Sequence, residues 1–363
     1  MDLDNSNLKE LVKLTAPDRA FLSIYISGKS SLKNLDSRIK TLKDLIGANK
    51  DEQEYFSNNV QMVNDYFKKN PNISGNVCIF ACWVLDYFNA IPIKQNIQEL
   101  IKIDSSPYIK PLAELLDEYE NYLAVVADNT SARIYLVTAE RNEEEIVIKG
   151  NVKNHVRKGG WSQQRYERRR DKELLLYAKE IGDKIVELNE KKEFRRIILV
   201  GSKETLNEIL KVVPDYIKEQ IVGEKSIDLS KGDAFIEKEI YDLFVQEERH
   251  SERELWDKIK KRYLSCGLSV IGVNEVMEAV KAGKMEILLI LKDLKLRGYR
   301  CKKCDALLSD DLNLCPVCKG ELFEIDLVEE IIELVKLGNG EVDFAEKIKE
   351  LSQFGGLAGL IRY

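Results

Sequence analysis

Four cysteines, Cys301, Cys304, Cys315 and Cys318, stand in the pattern C-x2-C-x10-C-x2-C. Each CxxC pair can put two thiolates on one side of a tight turn, and two such turns build a tetrahedral S4 site. Zinc suits that geometry, because it imposes no ligand-field preference and binds thiolates well. Four thiolates close the shell, so the expected Zn2+ is structural rather than catalytic. The competing chemistry is a pair of disulfides or a redox dithiol. Neither fits two CxxC turns that lack a thioredoxin-like surrounding. Short β-forming runs on either side, GYRC and GELFEI, complete the outline of a zinc ribbon over residues 299–324. Cys78, Cys82 and Cys266 lie outside the pattern and read as buried apolar fillers.

A second stretch with chemical potential is NHVRKGGWSQQRYERRRDKELL, residues 154–175. Between Lys149 and Lys172 nine Lys or Arg face only Glu167 and Asp171, in a chain of formal charge −6. An acidic protein with one dense basic segment suits insertion of a single element into a polyanion. Gly159 and Gly160 make a nearly side-chain-free tip that permits close backbone approach. Arg157, Lys158, Arg165, Arg168, Arg169 and Arg170 can neutralise phosphates. Gln163 and Gln164 offer amides, which can place a water or hydrogen-bond a developing oxyanion. The plain alternative is a solvated basic loop with Gly-Gly as a turn. Trp161 weighs against it, since a large apolar ring in a polar loop finds its use on a binding surface.

These residues must be held by a scaffold. AFLSIYIS (20–27), VCIFACW (77–83) and YFNAI (87–91) read as strands, with one long helical pattern over 32–67 and a short helix at PLAELLDEYENY. YLAVVADNTSARIYLV (122–137) has the form of a hairpin around a polar turn, and EEIVIKG (144–150) that of a third strand. A helix over 163–188 and a buried strand at RRIILVGS follow, with Gly201-Ser202 as the turn onward; this pair lacks the glycine spacing and lysine of a phosphate-cradling loop. A charged helix then runs through Arg262, and residues 270–293 read strand–helix–strand with Gly283 capping the helix. The fold class expected is α/β (α+β) and multidomain, with three mixed α/β domains and a zinc ribbon inserted in the last. The expected boundaries are 1–118, 119–230 and 231–363.

With the scaffold outlined, KGGWSQQRYERRR resembles the peptidyl-tRNA hydrolysis loop of the archaeal and eukaryotic class I release factors. The matching positions are Gly159, Gly160, Ser162, Arg165, Tyr166, Arg168 and Arg170. YLAVVADNTSARIYLV and RRIILVGS resemble the family's middle domain, and residues 252–292 with FGGLAGLIRY its third domain. The resemblance implies ribosome (rRNA) and peptidyl-tRNA as partners, a translational GTPase or the stalk base as a partner of the last domain, and a cytoplasmic place of work. Two departures shape the expected activity. Trp161 replaces the motif's glutamine, and the nearest amide is Gln163, as in release-factor-like tRNA hydrolases with a displaced glutamine; Gln164 is the second candidate. The family's codon-reading Asn-Ile-Lys-Ser has only NLDSRI (34–39) as a counterpart, with Asp36 where a cation belongs. The resemblance therefore implies codon-independent peptidyl-tRNA hydrolysis through Gly159, Gly160 and Gln163. Trp161, Gln164 and the six cations would touch RNA. A stop-codon-reading release factor, a non-catalytic rescue factor resembling Pelota and a tRNA nuclease remain as rivals.

Other classes are disfavoured. With 44% hydrophobic and 33% charged residues among 363, the chain supports packed cores rather than disorder. The start MDLDNSNLKELVKL has neither the basic nor the apolar region of a secretory signal. No run approaches the roughly 18 apolar residues of a membrane span. Few, clustered cysteines point to a reducing compartment. The two histidines, His155 and His250, sit in no triad or metal pattern. The acidic runs NEEEI and VEEIIEL are expected to be solvated faces.

Overall fold

The apolar run after Ala20 forms β1 (Phe21–Ile26), which follows α1 (Asn5–Leu11) and is buried at every position. Burial is complete because β1 is central in the sheet β3-β2-β1-β4, with antiparallel neighbours on both sides. Those neighbours are β2 (Asn76–Cys82), which continues into β3 (Tyr87–Ile93), and β4 (Leu100–Asp104). The expected single helix over 32–67 is two helices, α2 (Gly28–Leu45) and α3 (Lys50–Lys69). Asn49 sets the break: its side chain accepts the N–H groups of Asp51 and Glu52 and so starts a new helix. Leu22, Ile24 and Ile26 pack with Leu35, Ile39, Phe56 and Val63 on the helical side of the sheet. Helix α4 (Lys110–Glu118) ends this part of the chain. The structure is a computed structural model, and it describes residues 5–17, 19–46, 49–71, 75–93, 97–118, 122–137, 146–149, 161–192, 194–265 and 267–363.

Residues 119–251 form a compact unit of their own. Its sheet has the order β7-β6-β5-β8-β9. The strands are β5 (Tyr122–Ala127), β6 (Ser131–Val137), β7 (Ile146–Lys149), β8 (Arg196–Gly201) and β9 (Ile221–Ser226). The helices are α5 (Trp161–Lys192), α6 (Lys203–Val212), α7 (Asp215–Gln220) and the first half of α8 (Asp233–Ser265). The hairpin expected at 122–137 is present, and β5 runs parallel to β8. Side chains alternate across the two central strands. Leu123, Val125, Ile197 and Leu199 pack with Tyr177, Ala178, Ile181 and Ile185 of α5. Ala124, Val126, Ile198 and Val200 pack with Ile236, Ile240, Leu243 and Phe244 of α8. The unit therefore extends to Ser251 rather than to 230, because the start of α8 covers one face of its sheet. Gly201 (φ +146°) brings β8 so close to β5 that a Cβ would lie 1.8 Å from the carbonyl oxygen of Ala127.

The other unit combines residues 1–118 with 252–363. Its second part holds β10 (Ser269–Ile271), α9 (Val273–Lys281), β11 (Met285–Leu291), β12 (Arg297–Cys301), β13 (Leu307–Leu308), β14 (Leu322–Asp326), α10 (Leu327–Leu337), β15 (Glu341–Ala345), α11 (Lys349–Gln353) and β16 (Leu357–Ile361). The main sheet has the order β10-β16-β11-β15, and a small sheet β13-β12-β14 carries the cysteines. Trp256 and Ile259 from the end of α8 are buried with Leu289, Ala345 and Leu360. Among the described residues no helix is long and apolar enough to cross a membrane.

The run VEEIIEL departs from the expected solvated face. It lies in α10, where Glu329 (4% exposed), Glu330 (5%) and Glu333 (8%) are buried. Their partners come from the connection before α4. Glu329 accepts the N–H groups of Ile109 and Lys110, capping α4 from another part of the chain. Ser106 donates to Glu333 at 2.7 Å, Tyr108 to Asp326 at 2.9 Å, and Arg300 bonds both Glu330 and Ser105. The partners of Glu329, Glu333 and Asp326 are some 220 residues distant, and Arg300 links Glu330, 30 residues away, to Ser105, so no local pattern announces them. The run NEEEI falls outside the described residues except for Ile146.

Burial, and secondarily the neighbouring Glu330, pushes the Glu333 carboxyl up to about 8. In the unfolded chain a glutamate titrates near about 4.3. The folded unit thus binds more protons than the unfolded chain between those values, and its stability falls as pH rises through that window. Glu333→Gln keeps an acceptor for Ser106 and removes the titration. In thermal melts from pH 5 to pH 9 it should match the parent protein at pH 5 and melt above it at pH 9; parallel pH profiles would contradict this origin of the slope.

Candidate nucleic-acid interface and metal centre

Helix α5 opens at Trp161, so Gln163 and Gln164 lie in its first turn. Gln164, Arg165, Arg168 and Arg169 are exposed, as is Lys172, which the sequence reading did not single out. At 100° per residue Arg165, Arg168, Arg169 and Lys172 fall on one face, a cationic stripe along the first three turns. Arg169 also pairs with Glu173 at 3.0 Å, which leaves it 70% exposed. Tyr166 and Glu167 are half-buried on the opposite side.

Arg170 departs from the expectation of an exposed cation. It is 3% exposed, and its guanidinium takes both carboxylate oxygens of Glu204 in the first turn of α6. Hydrogen bonding to Glu204 keeps it firmly charged. The rotation that separates it from the stripe was available in the helical periodicity, but its residue type matched its neighbours. Arg157, Lys158, Gly159 and Gly160, with His155, lie outside the described residues. For Trp161 and Gln163 the description covers the main chain in α5.

The four cysteines converge. Cys301 ends β12, Cys304 follows in the adjoining turn, and Cys315 and Cys318 flank the second turn. The Sγ atoms of Cys301 and Cys318 are 3.3 Å apart, those of Cys304 and Cys315 are 3.6 Å apart, and all four lie within 4.8 Å of one another. A tetrahedron of thiolates at about 2.3 Å from a zinc ion has edges of about 3.8 Å, so the donor set fits a metal ion. Burial pushes the Cys301 thiol up, but the N–H groups of Lys303 and Cys304 outweigh it and hold the thiol at about 6. The N–H of Ala306 pulls the Cys304 thiol down, but the neighbouring thiols outweigh it and push it the other way, up to about 12, so the four sulfurs share their protons as one group.

The remaining candidates are structural. Asp36 is exposed on α2 between buried Leu35 and Ile39, on the charged helix expected there. His250 is exposed on α8. Cys78 and Cys82 are buried in β2, and Cys266 lies outside the described residues.

Residues 107–249 match the family model described as Bacterial archaeo-eukaryotic release factor family 10, and residues 245–363 match eRF1 domain 3. Similar relatives include the peptide chain release factor subunit 1 of Thermococcus sibiricus, 26% identical over 310 residues that cover 76% of this chain and 74% of that protein. The protein of the same name from Methanocaldococcus jannaschii is 27% identical over 308 residues, covering 75% and 72%. Among solved structures, the archaeal translation termination factor aRF1 aligns over 99% of this chain and 96% of its own at 16% identity, with a TM-score of 0.26. An archaeal Pelota in a ribosome-bound model with ABCE1 aligns over 76% and 72% at 20% identity, with a TM-score of 0.42. The two family models together run from residue 107 to residue 363, and over that span the chain is similar to archaeo-eukaryotic release factors.

Proposed function

We propose that the chain is a codon-independent peptidyl-tRNA hydrolase acting on ribosomes or large ribosomal subunits in the cytoplasm. The observation that carries this reading is the placement of Gln163 in the first turn of α5, directly after Gly159-Gly160 and ahead of an exposed cationic stripe. Arg165, Arg168, Arg169 and Lys172 bind phosphates of rRNA or tRNA, joined by Arg157 and Lys158. Trp161 stacks on a base, with Gln164 beside it. Gln163 holds the water that attacks the ester. The names of the relatives, release factor subunit 1, support a ribosomal setting. The third domain would meet a translational GTPase. A non-catalytic rescue factor of Pelota type is the second reading, favoured by Trp161 in place of the motif's glutamine.

The metal proposed for the four cysteines is zinc, held by Cys301, Cys304, Cys315 and Cys318 with no open position. It would staple a small sheet that cannot bury a core by itself. Elemental analysis should give one zinc per chain. Cys301→Ser should lose it and lower the melting temperature of the unit containing residues 252–363, while residues 119–251 stay folded. A metal-free protein, or full stability after chelation, would refute the assignment.

Codon independence follows from Asp36 and the solvated helix face around it. Peptide release should run equally fast with a sense codon, a stop codon or no message in the A site. A strong preference for stop codons would favour the codon-reading rival.

Gln163→Ala should slow peptide release about 10²–10³-fold, as for loss of one positioned donor at a reacting centre. Ribosome binding should persist. Gly160→Ala should slow release at least as much. If both variants release peptide at the parent rate, the segment is a docking element and the rescue-factor reading takes its place.

A further inference from the structure

Five cations sit between Arg165 and Lys172, and four share a face. At 100° per residue Arg170 points about 150° from the middle of that stripe. Among the described side chains of α5 it is the first that is buried, and the first buried apolar one, Leu174, comes one turn later. From Gln164 up to Arg170, about 9 Å of helix, the described side chains ahead of Arg170 are exposed or half-buried.

Glu204, which receives Arg170, is itself held. Ser202 caps α6 by accepting the N–H of Thr205, and its hydroxyl donates to Thr205 Oγ1 at 2.8 Å. Thr205 donates to Asn129 Oδ1 at 2.7 Å. Asn129 sits in the turn between β5 and β6, where Asp128 accepts the N–H groups of Thr130 and Ser131. Helix α5, the start of α6 and the β5–β6 turn thus meet at one network. A leucine at 170 could bury as much area with little desolvation cost. Only a planar fork on a carboxylate fixes rotation as well as distance. Arg170 is buried but Glu204 is 41% exposed, and a partly solvated pair adds little stability, so geometric definition is what this one supplies.

We propose that Arg170 is a positioning residue: its two-pronged bond to Glu204 fixes the direction and rotation in which the start of α5 presents Gln163 and the exposed arginines to peptidyl-tRNA. The proposal rests on the hydrolase reading above. Loss of the fork leaves Leu174 as the first buried anchor among the described side chains of α5 and loosens the rotation of its leading end. Small misplacements of reacting groups cost large factors in rate, so the effect falls on kcat more than on KM.

The test uses the full chain with Arg170→Met, Arg170→Lys and Glu204→Gln. Amide exchange over residues 162–169 should quicken about tenfold in the Met and Gln variants, as expected when local opening is eased. Exchange over 174–188 and the melting temperature should stay near the parent values. On stalled ribosomes kcat for peptide release should fall about tenfold with KM within about twofold, and Arg170→Lys, which keeps charge without the fork, should lie between. Unchanged exchange over 162–169 overturns the proposal, as does quickened exchange with an unchanged kcat. A general loss of protection that includes 174–188 in all three variants overturns it too, because the pair is then only a stabilising contact. If the parent protein releases no peptide, the hydrolase reading falls, and the part of the proposal that concerns how α5 is held stands or falls on exchange alone.

Discussion

A carboxylate from α10 reaching the N–H groups that open α4 is the contact on which the larger unit depends. Glu329 satisfies two donors of a helix start that has no cap of its own in sequence. Around it Arg300, Ser105, Ser106, Tyr108 and Asp326 close a polar seam in which carboxylates outnumber cations. Phe344 adds a further N–H bond to Asp117, and the Lys110 ammonium reaches the carbonyl of Leu294. A seam of this kind gains little from charge and much from geometry, since each buried acceptor left unmatched would be costly. It makes one body from two distant lengths of chain, with residues 119–251 inserted between them.

The inserted unit solves a different problem. Its sheet has helices on both faces, so β5 and β8 can be buried throughout. Gly201 lets those strands close up at the end where α6 begins. The Arg170–Glu204 network lies at that same end. The site is therefore built from a rigid sheet edge that supports a helix, and the helix carries the exposed cations beyond the sheet.

Much of this was legible in residue types. Runs such as FLSIYI, YLAVVA and RIILVG are strands because they are buried on both faces. The CxxC pairs announce their own convergence. β4 and β9 were missed because LIKID and IVGEKS are short edge strands with mixed burial. The split of 32–67 into two helices rested on a single capping asparagine. In the candidate site, Arg165, Arg168 and Arg169 are exposed as expected, whereas Arg170 looks identical to them until its angle on the helix is considered. The glutamates of α10 were unreadable for a stronger reason: the partners of Glu329 and Glu333 are over 200 residues away, and charge in a helix gives no sign of what will cover it.

That separation has a consequence for synthesis. Residues 1–118 emerge from the ribosome long before α10 and β15 exist. At about 5–20 residues per second, the interval from α4 to β15 is roughly 10–45 s. Throughout it the nascent segment around Tyr108 and Lys110 holds an uncapped helix start, although Tyr108 can already bond Ser23 and Tyr25 of β1. The inserted unit can fold during that wait, since its contacts lie within its own 133 residues. Maturation is thus ordered by topology: the middle completes first, and the two ends of the larger unit join last.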